Sequence, residues 1–157
     1  LLLGLLVGNH EWRTAKESGN DLTKNLCDIL DVPYLGFSIF LDLLVRKIRY
    51  SVFGIHGAGS ATTLASKIST VLKLSQHREA DIYLMGHVHE IWAGSDVVLK
   101  IDRHNHTIEE RKRYYVLTGA YLKYKGSYGE LKGYPPSKTG TPRIRLDGLR
   151  YDPHISI

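Results

Sequence analysis

Cysteine and long apolar runs are both scarce in this sequence. The 157 residues contain a single cysteine, Cys27, so no internal disulfide can form, and a reducing compartment such as the cytoplasm is the default location. The apolar run Leu1 to Val7 is far shorter than the roughly 20 residues that cross a bilayer, and it lacks the basic leader of a secretion signal. The sequence therefore excludes a disulfide scaffold and predicts neither a membrane span nor a membrane partner.

Methionine is equally scarce, because Met85 is the only one and residue 1 is leucine. The chain also runs almost at once into a candidate functional loop at residue 8. We therefore expect one domain over residues 1–157 that is incomplete at its N-terminus.

Hydrophobic periodicity predicts a mixed α/β fold. The segment Leu1 to Val7 is predicted as a core strand, and Cys27 as a small buried hydrophobic residue. Helices are predicted over 13–31, with Asp21 as a capping residue, and over 60–76, with Ser60 as the N-cap. Strands are predicted over 34–53 (two strands meeting near residues 45–47), 81–85, 97–101 and 114–117, followed by a last hairpin that turns at Asp147-Gly148.

Three short glycine-punctuated loops carry histidine, and each follows an apolar, strand-like run. They are Gly8-Asn9-His10-Glu11, Gly54-Ile55-His56-Gly57 and Gly86-His87-Val88-His89. Strand ends are where α/β sheets present reactive groups, and imidazole is a common ligand of transition metals. In an extended Gly-His-x-His segment, residues two apart point to the same side, so both imidazoles are expected to face one cluster. The pattern indicates a metal-dependent hydrolase.

These loops, in this order, resemble three of the five motifs of the calcineurin-like metallophosphoesterases. His56 lies 46 residues after His10, and His87 lies 31 residues after His56, which suits the family. The segments 118–121 and 133–136 and the closing hairpin resemble phage or prokaryotic members. The resemblance covers nearly the whole chain and implies an αββα sandwich of mixed β-sheets flanked by helices, here missing its first strands.

The resemblance also implies a two-metal site that hydrolyses phosphate esters by a metal-activated hydroxide. By motif position, Asn9, His56 and His87 would bind the second metal and His89 the first. His10 would assist the leaving oxygen, and Glu11 would orient His10 or a ligand. Nitrogen and oxygen ligands suit Mn, Fe, Zn, Ni or Co without selecting among them.

Two motifs of the family, Asp-x-His and Gly-Asp, precede the Gly-Asn-His loop, whereas nothing precedes it here. The bridging aspartate and two ligands of the first metal would then be missing. We therefore expect the chain alone to bind one metal weakly, with little or no turnover.

Simpler interpretations of the same residues remain open. Asn9 could be only a turn residue, and Glu11 a plain carboxylate at a helix start. Arg13 could hold a phosphate or lie on a helix surface. The other histidines lack the glycine-loop context and are predicted at the surface or in hairpins: His77, His104, His106 and His154.

Positive charge and tyrosine concentrate in the second part of the chain. Residues 1–99 hold 9 Lys+Arg and 10 Asp+Glu, a balance of −1, and residues 100–157 hold 12 and 6, a balance of +6. Seven of the ten tyrosines lie in the second part, including Tyr121, Tyr124, Tyr128 and Tyr134. This composition suits a nucleic-acid phosphodiester, although a solvated sheet face with packing tyrosines would have the same composition.

Three hypotheses for function follow. The first is metal-dependent hydrolysis of a phosphate mono- or diester. The second is a non-catalytic remnant of the same fold that serves as a nucleic-acid-binding or interaction module. The third is a split enzyme whose missing motifs lie on another polypeptide.

Overall fold

The computed structural model describes residues 2–157 and contains one mixed sheet of five strands. Two helices come first in the chain, and a third separates the second and third strands of the sheet. The helices are α1 Asn9–Ser18, α2 Leu22–Leu30, α3 Leu64–Leu72 and α4 Tyr128–Leu131. The strands are β1 Ser38–Val45, β2 Ile48–Ile55, β3 Ile82–Met85, β4 Ile91–Asp102, β5 Thr107–Thr118, β6 Arg143–Arg145 and β7 His154–Ser156.

The five-stranded sheet has the order β1-β2-β3-β5-β4. Its three central strands, β2, β3 and β5, are mutually parallel, and the two outer strands pair antiparallel to their neighbours. The carboxyl ends of the three central strands therefore meet at one edge. The mixed α/β class predicted from the sequence is confirmed.

Each face of the sheet buries a separate apolar cluster. On one face, α3 packs with Val71 against the stacked rings of Tyr83 and Tyr115. On the other face, the short ribbon β6–β7 packs Ile144 and Ile155 against Ile82 and its neighbours. The resulting layers are a helix, a five-stranded sheet and a two-stranded ribbon.

The predicted helix over 13–31 is two helices. Gly19 ends α1 in the left-handed conformation (φ 70°), where glycine carries no steric cost. Asp21 then caps α2, as predicted, by accepting a hydrogen bond from the Lys24 backbone N–H. Cys27 is buried, as predicted, but the apolar residues spaced at helical intervals along α2 are exposed: Leu22, Leu26, Ile29 and Leu30.

The predicted strand Leu1 to Val7 is wrong as a regular strand, and Leu1 lies outside the described residues. Residues 5–7 run extended beside residues 33–36, but only one parallel bridge forms, between Leu5 and Tyr34. Gly4 interrupts the segment at φ 146°, a conformation that side chains other than hydrogen rarely adopt. Val7 is nevertheless fully buried, which fixes the chain just before Asn9.

Two further boundaries differ from the sequence prediction. Helix α3 begins after Thr63, not Ser60, because Thr63 and Ser66 form a reciprocal capping box. The last hairpin pairs β6 with β7 but does not turn tightly at Asp147-Gly148. The Asp147 carboxylate accepts hydrogen bonds from the backbone N–H groups of Leu149 and Arg150, which opens a longer loop.

Among residues 2–157, no helix is both long and apolar enough to cross a bilayer.

A buried carboxylate ties the start of β3 to its neighbours. Asp81 is 4% exposed and accepts hydrogen bonds from the Ser51 backbone N–H at 2.8 Å and the Ser51 hydroxyl at 2.9 Å. Its other oxygen lies 2.7 Å from the Arg111 guanidinium. Asp81 therefore holds β2, β3 and β5 together at the edge opposite their carboxyl ends.

We predict that Asp81→Ala lowers the free energy of unfolding by about 2–4 kcal/mol, because it leaves Arg111 and the Ser51 donors without their partner. The matched control is Glu79→Ala, which breaks the exposed pair of Glu79 with Lys100 and should cost less than about 1 kcal/mol. Urea unfolding midpoints measure both. Equal losses in the two variants would contradict this account of the strand edge.

Candidate metal centre

The three histidine-bearing loops meet at the carboxyl edge of the sheet. His56 directly follows β2, and His87 follows β3 by one glycine. The two strands pair in parallel with Ile55 opposite Met85, so His56 is level with Gly86, and the left-handed backbone at His87 (φ 63°) brings its ring beside that of His56. Asn9 is the first residue of α1 and enters the same space from the extended segment that ends at Val7.

One atom from each of Asn9, His56 and His87 approaches the other two closely. Asn9 Oδ1 lies 2.9 Å from His56 Nε2 and 3.2 Å from His87 Nδ1, and the two ring nitrogens are 3.3 Å apart. Ligands about 2.1 Å from a metal are about 3.0 Å apart at a right angle and about 3.4 Å apart at a tetrahedral angle. The three separations therefore match the edges of a coordination polyhedron.

The protonation of His87 is fixed by its other nitrogen. His87 Nε2 lies 2.9 Å from the Gly59 carbonyl oxygen, which can only accept, so Nε2 carries the proton. In the neutral ring, Nδ1 then presents a lone pair toward Asn9 Oδ1 and His56 Nε2. Metal-ligating histidines commonly donate their second N–H to a carbonyl in this way.

Asn9, His56 and His87, here called the trio, turn three potential hydrogen-bond acceptor atoms toward one another with too few N–H groups to satisfy them. A neutral His56 can place at most one proton among the three facing atoms. A divalent cation would satisfy all three lone pairs at once, so the donor set fits a transition metal ion. Among residues 2–157 no three side chains of His, Cys, Asp or Glu gather to hold a metal, and this trio differs in that its oxygen donor is an amide.

Two glycines allow the loops to approach this closely. A Cβ on Gly86 would lie 3.3 Å from the His56 carbonyl oxygen, and a Cβ on Gly8 would lie 3.2 Å from His56 Cε1 and overlap the Glu11 carboxylate. Side chains at either position would therefore push the loops apart.

The segment that carries His87 and His89 is not extended, contrary to the sequence prediction. Both histidines adopt left-handed φ, 63° for His87 and 51° for His89, and Val88 between them is buried. Such backbone costs free energy in residues other than glycine and persists only where the surroundings hold it. His89 is exposed, and no hydrogen bond within residues 2–157 joins it to the trio.

The pKa values of two of these histidines lie below the ordinary value for imidazole. Burial is the largest cause for His56, and positive charge on His87 adds to it while Glu11 opposes it. Partial desolvation is also the largest cause for His89, followed by His87 and Lys67. Both rings are therefore neutral at neutral pH, which is the form that binds metals.

His10 and Glu11 flank the trio. His10 is exposed on the first turn of α1, directly after Asn9, and its positive charge is a minor cause of the lowered pKa values of His56 and His89. Glu11 is half-buried, and its carboxylate lies against Gly8 next to His56. Arg13 is exposed on the same helix.

The histidines predicted at the surface are exposed: His77, His104, His106 and His154. Two of them belong to Asp-x-His sequences, the pattern of the missing first motif: Asp102-Arg103-His104 and Asp152-Pro153-His154. Asp102 ends the 12-residue strand β4, about 35 Å along the strand from the residues that follow His89. The backbone N–H of Asp152 approaches the Tyr50 hydroxyl, which lies near the start of β2, about 20 Å from His56 along that strand. Neither aspartate reaches the trio.

Two supporting groups were not identified from the sequence. The carbonyl oxygen of Gly59 orients His87. Glycine adopts the φ of 115° at this position without strain, so the glycines of the short run Gly57-Ala58-Gly59 were the sequence signal for this support. The buried Lys67 of α3 reaches Glu90, with Nζ 3.0 Å from the carboxylate, and thereby ties the helix to the residue after His89. No periodicity in the sequence predicts that pair.

No protein-family model, curated protein or solved structure matches the chain.

We predict that Lys67→Met weakens binding of Zn²⁺ or Co²⁺ by up to about tenfold, because Lys67 anchors Glu90 at the end of the loop that carries His87 and His89. This is the lower end of the roughly 10–100-fold that direct hydrogen-bond partners of metal ligands contribute. The matched control, Lys100→Met, removes the exposed partner of Glu79 and should leave the affinity within about twofold. Competition against a fluorescent chelator measures both. An unchanged affinity for the folded Lys67→Met protein would show that the pair does not support the loop.

Proposed function

We propose that the chain is a metal-dependent phosphoesterase of the calcineurin-like type. Its metal site would be formed by Asn9, His56 and His87, the residues that the resemblance to this family assigns to one ion. The single observation that carries the proposal is the convergence of Asn9 Oδ1, His56 Nε2 and His87 Nδ1 within 2.9–3.3 Å, with the other His87 nitrogen donating to a carbonyl.

The parallel strands β2 and β3 and the opposing layers of α3 and β6–β7 support the corresponding fold. We propose that they form the core of the family's αββα sandwich. The single buried cysteine supports a reducing, cytoplasmic location.

Mn, Fe, Zn, Ni or Co would suit the trio, since its donors are two imidazole nitrogens and one amide oxygen. A divalent ion bound there would neutralise charge on a phosphoryl group and acidify water. His89 would supply one donor to a second ion, so the chain's own residues provide three donors for one ion and one for the other.

The residues around the trio would position the substrate and move protons. His10, exposed at the mouth of the site, would donate its imidazole N–H to the oxygen that leaves phosphorus. Glu11, whose carboxylate lies beside His56, would orient His10 or a metal ligand. The three trio donors are uncharged, so a cation's charge stays uncompensated, and we expect weak metal binding and little turnover by this chain alone.

Metal binding tests the proposed site directly. We predict that the chain binds Co²⁺ with visible absorption bands and that His87→Ala weakens this binding by about 100-fold or more, since a lost ligand costs more than a lost supporting group. The matched control is His77→Ala, which removes an exposed histidine and should bind normally. Equal metal content in wild type and His87→Ala would count against the assignment.

Hydrolysis tests the reaction class. We predict slow, Mn²⁺-dependent hydrolysis of bis-p-nitrophenyl phosphate that exceeds hydrolysis of the monoester and is lost in His87→Ala but kept in His104→Ala. Turnover that survives both a chelator and His87→Ala would contradict the proposal. Metal binding at the trio with no hydrolysis of either ester would contradict hydrolysis by this chain and leave the metal site standing.

A further inference from the structure

The segment from Gly119 to Gly140, here called the Tyr-Lys loop, begins and ends beside the candidate metal centre. The Gly119 backbone N–H donates to the Glu90 carbonyl oxygen at 2.8 Å, one residue after His89. At the far end, the Gly140 N–H donates to the Ala120 carbonyl oxygen at 2.9 Å, next to a bridge between Ala120 and Thr139. The loop is therefore closed at its base, and that base adjoins the residues that carry His87 and His89.

Three tyrosine rings on this loop face solvent. Tyr121, two residues beyond the anchored Gly119, is 79% exposed, and Tyr128 and Tyr134 are 55% and 47% exposed. Tyr128 and Tyr134 contact each other, and exposed large rings that lie together are typical of a binding surface. The arrangement of these rings therefore points to a ligand with aromatic or apolar faces.

Two of the rings are held in a defined arrangement. Tyr128 and Tyr134 meet edge to face with centroids 6.1 Å apart, and the Tyr134 N–H donates to the Gly129 carbonyl oxygen. Lys132 Nζ lies 5.6 Å from the centre of the Tyr128 ring. A cation beside an exposed ring offers one group for a base and one for a phosphate.

The charge of the loop is positive and unneutralised. It contains four lysines and one glutamate, a balance of +3, and the glutamate is occupied in accepting from the Gly126 N–H. All four lysines are exposed, and none forms an ion pair within residues 2–157: Lys123, Lys125, Lys132 and Lys138. A phosphorylated peptide could place its phosphate on these lysines, but it would bring no bases to stack on the three exposed tyrosine rings.

We propose that the Tyr-Lys loop binds single-stranded nucleic acid, with bases stacked on Tyr121, Tyr128 and Tyr134 and phosphates on the lysines. The anchored base of the loop would then lead the strand to the trio, so a phosphodiester within single-stranded nucleic acid is the substrate class. As a statement about substrate, this rests on the proposed phosphoesterase function, whereas binding by the loop does not require a metal.

The first test measures binding in EDTA, by fluorescence anisotropy of a labelled oligothymidylate. The double variant Tyr128→Ala/Tyr134→Ala should bind about 10–100-fold more weakly, the range expected for losing one or two stacked bases. The matched control, Tyr34→Ala, removes an exposed tyrosine outside the loop and should change binding less than about twofold. Unchanged binding by the double variant, or equally tight binding of an abasic oligonucleotide or a phosphoserine peptide, would overturn the proposal.

The second test measures the salt dependence of the same binding. Lys123→Gln/Lys125→Gln/Lys132→Gln should reduce the slope of log affinity against log salt by about 2, since each phosphate contact to a single strand contributes about 0.7. The charge-matched control is Lys24→Gln/Lys47→Gln/Lys73→Gln, which removes three exposed lysines elsewhere and should retain the slope. Equal loss of slope in both triple variants would contradict a site on the loop.

The two proposals fail in distinguishable ways. His87→Ala should bind the oligonucleotide in EDTA as wild type does while losing metal. If the wild type binds metal but no oligonucleotide, the substrate class is wrong and the metal site stands. If it binds the oligonucleotide but no metal, loop binding stands and the phosphoesterase function falls.

Discussion

Parallel pairing of β2 with β3 is the constraint on which the candidate site depends. With Ile55 opposite Met85, both strands end at the same level, and the left-handed turn at His87 brings its Nδ1 within 3.3 Å of His56 Nε2. The buried Asp81 secures the pairing at the opposite edge, where it links β2, β3 and β5. The turn at His87 is as necessary to the cluster as the pairing, because in fully extended strands His56 and His87 would point to opposite faces of the sheet.

The oxygen and nitrogen atoms of the cluster face one another in an arrangement that would stabilise a bound cation. Three uncharged atoms face one another with at most one proton among them, and the Gly59 carbonyl oxygen keeps the His87 proton on the far nitrogen. The surrounding backbone is left-handed at His87 and His89, and it is held by the buried Val88 and by the Lys67–Glu90 pair. Strain that is maintained by buried supports is typical of functional sites, which is the physical reason to regard this edge as one.

The sequence predicted most of the elements because their signals are local. Alternating apolar runs located β1 to β5, and the capping signal of Asp21 was correct, because period and capping depend on neighbouring residues. It misplaced the start of α3, where Thr63 caps in place of Ser60, and the loop before β7, where the Asp147 carboxylate widens the turn, because two local signals competed at each place. The irregular course of residues 2–7 depends on pairing with the distant residues 33–36. The approach of Asn9 to the two histidines followed from motif order, whereas the support from Gly59 and Lys67 is tertiary and left no periodic trace. The exposed position of His89 was also missed, because an extended segment was assumed where the backbone turns.

The central claim is that Asn9, His56 and His87 bind one cation between them. Crystals grown with Mn²⁺ or Zn²⁺ and measured at the absorption edge of the metal test it most directly, because anomalous scattering locates the ion without reference to activity. Binding of one ion by the trio predicts one strong peak about 2.0–2.2 Å from Asn9 Oδ1, His56 Nε2 and His87 Nδ1. A peak bound only by other side chains, or no peak near the trio at saturating metal, would contradict it.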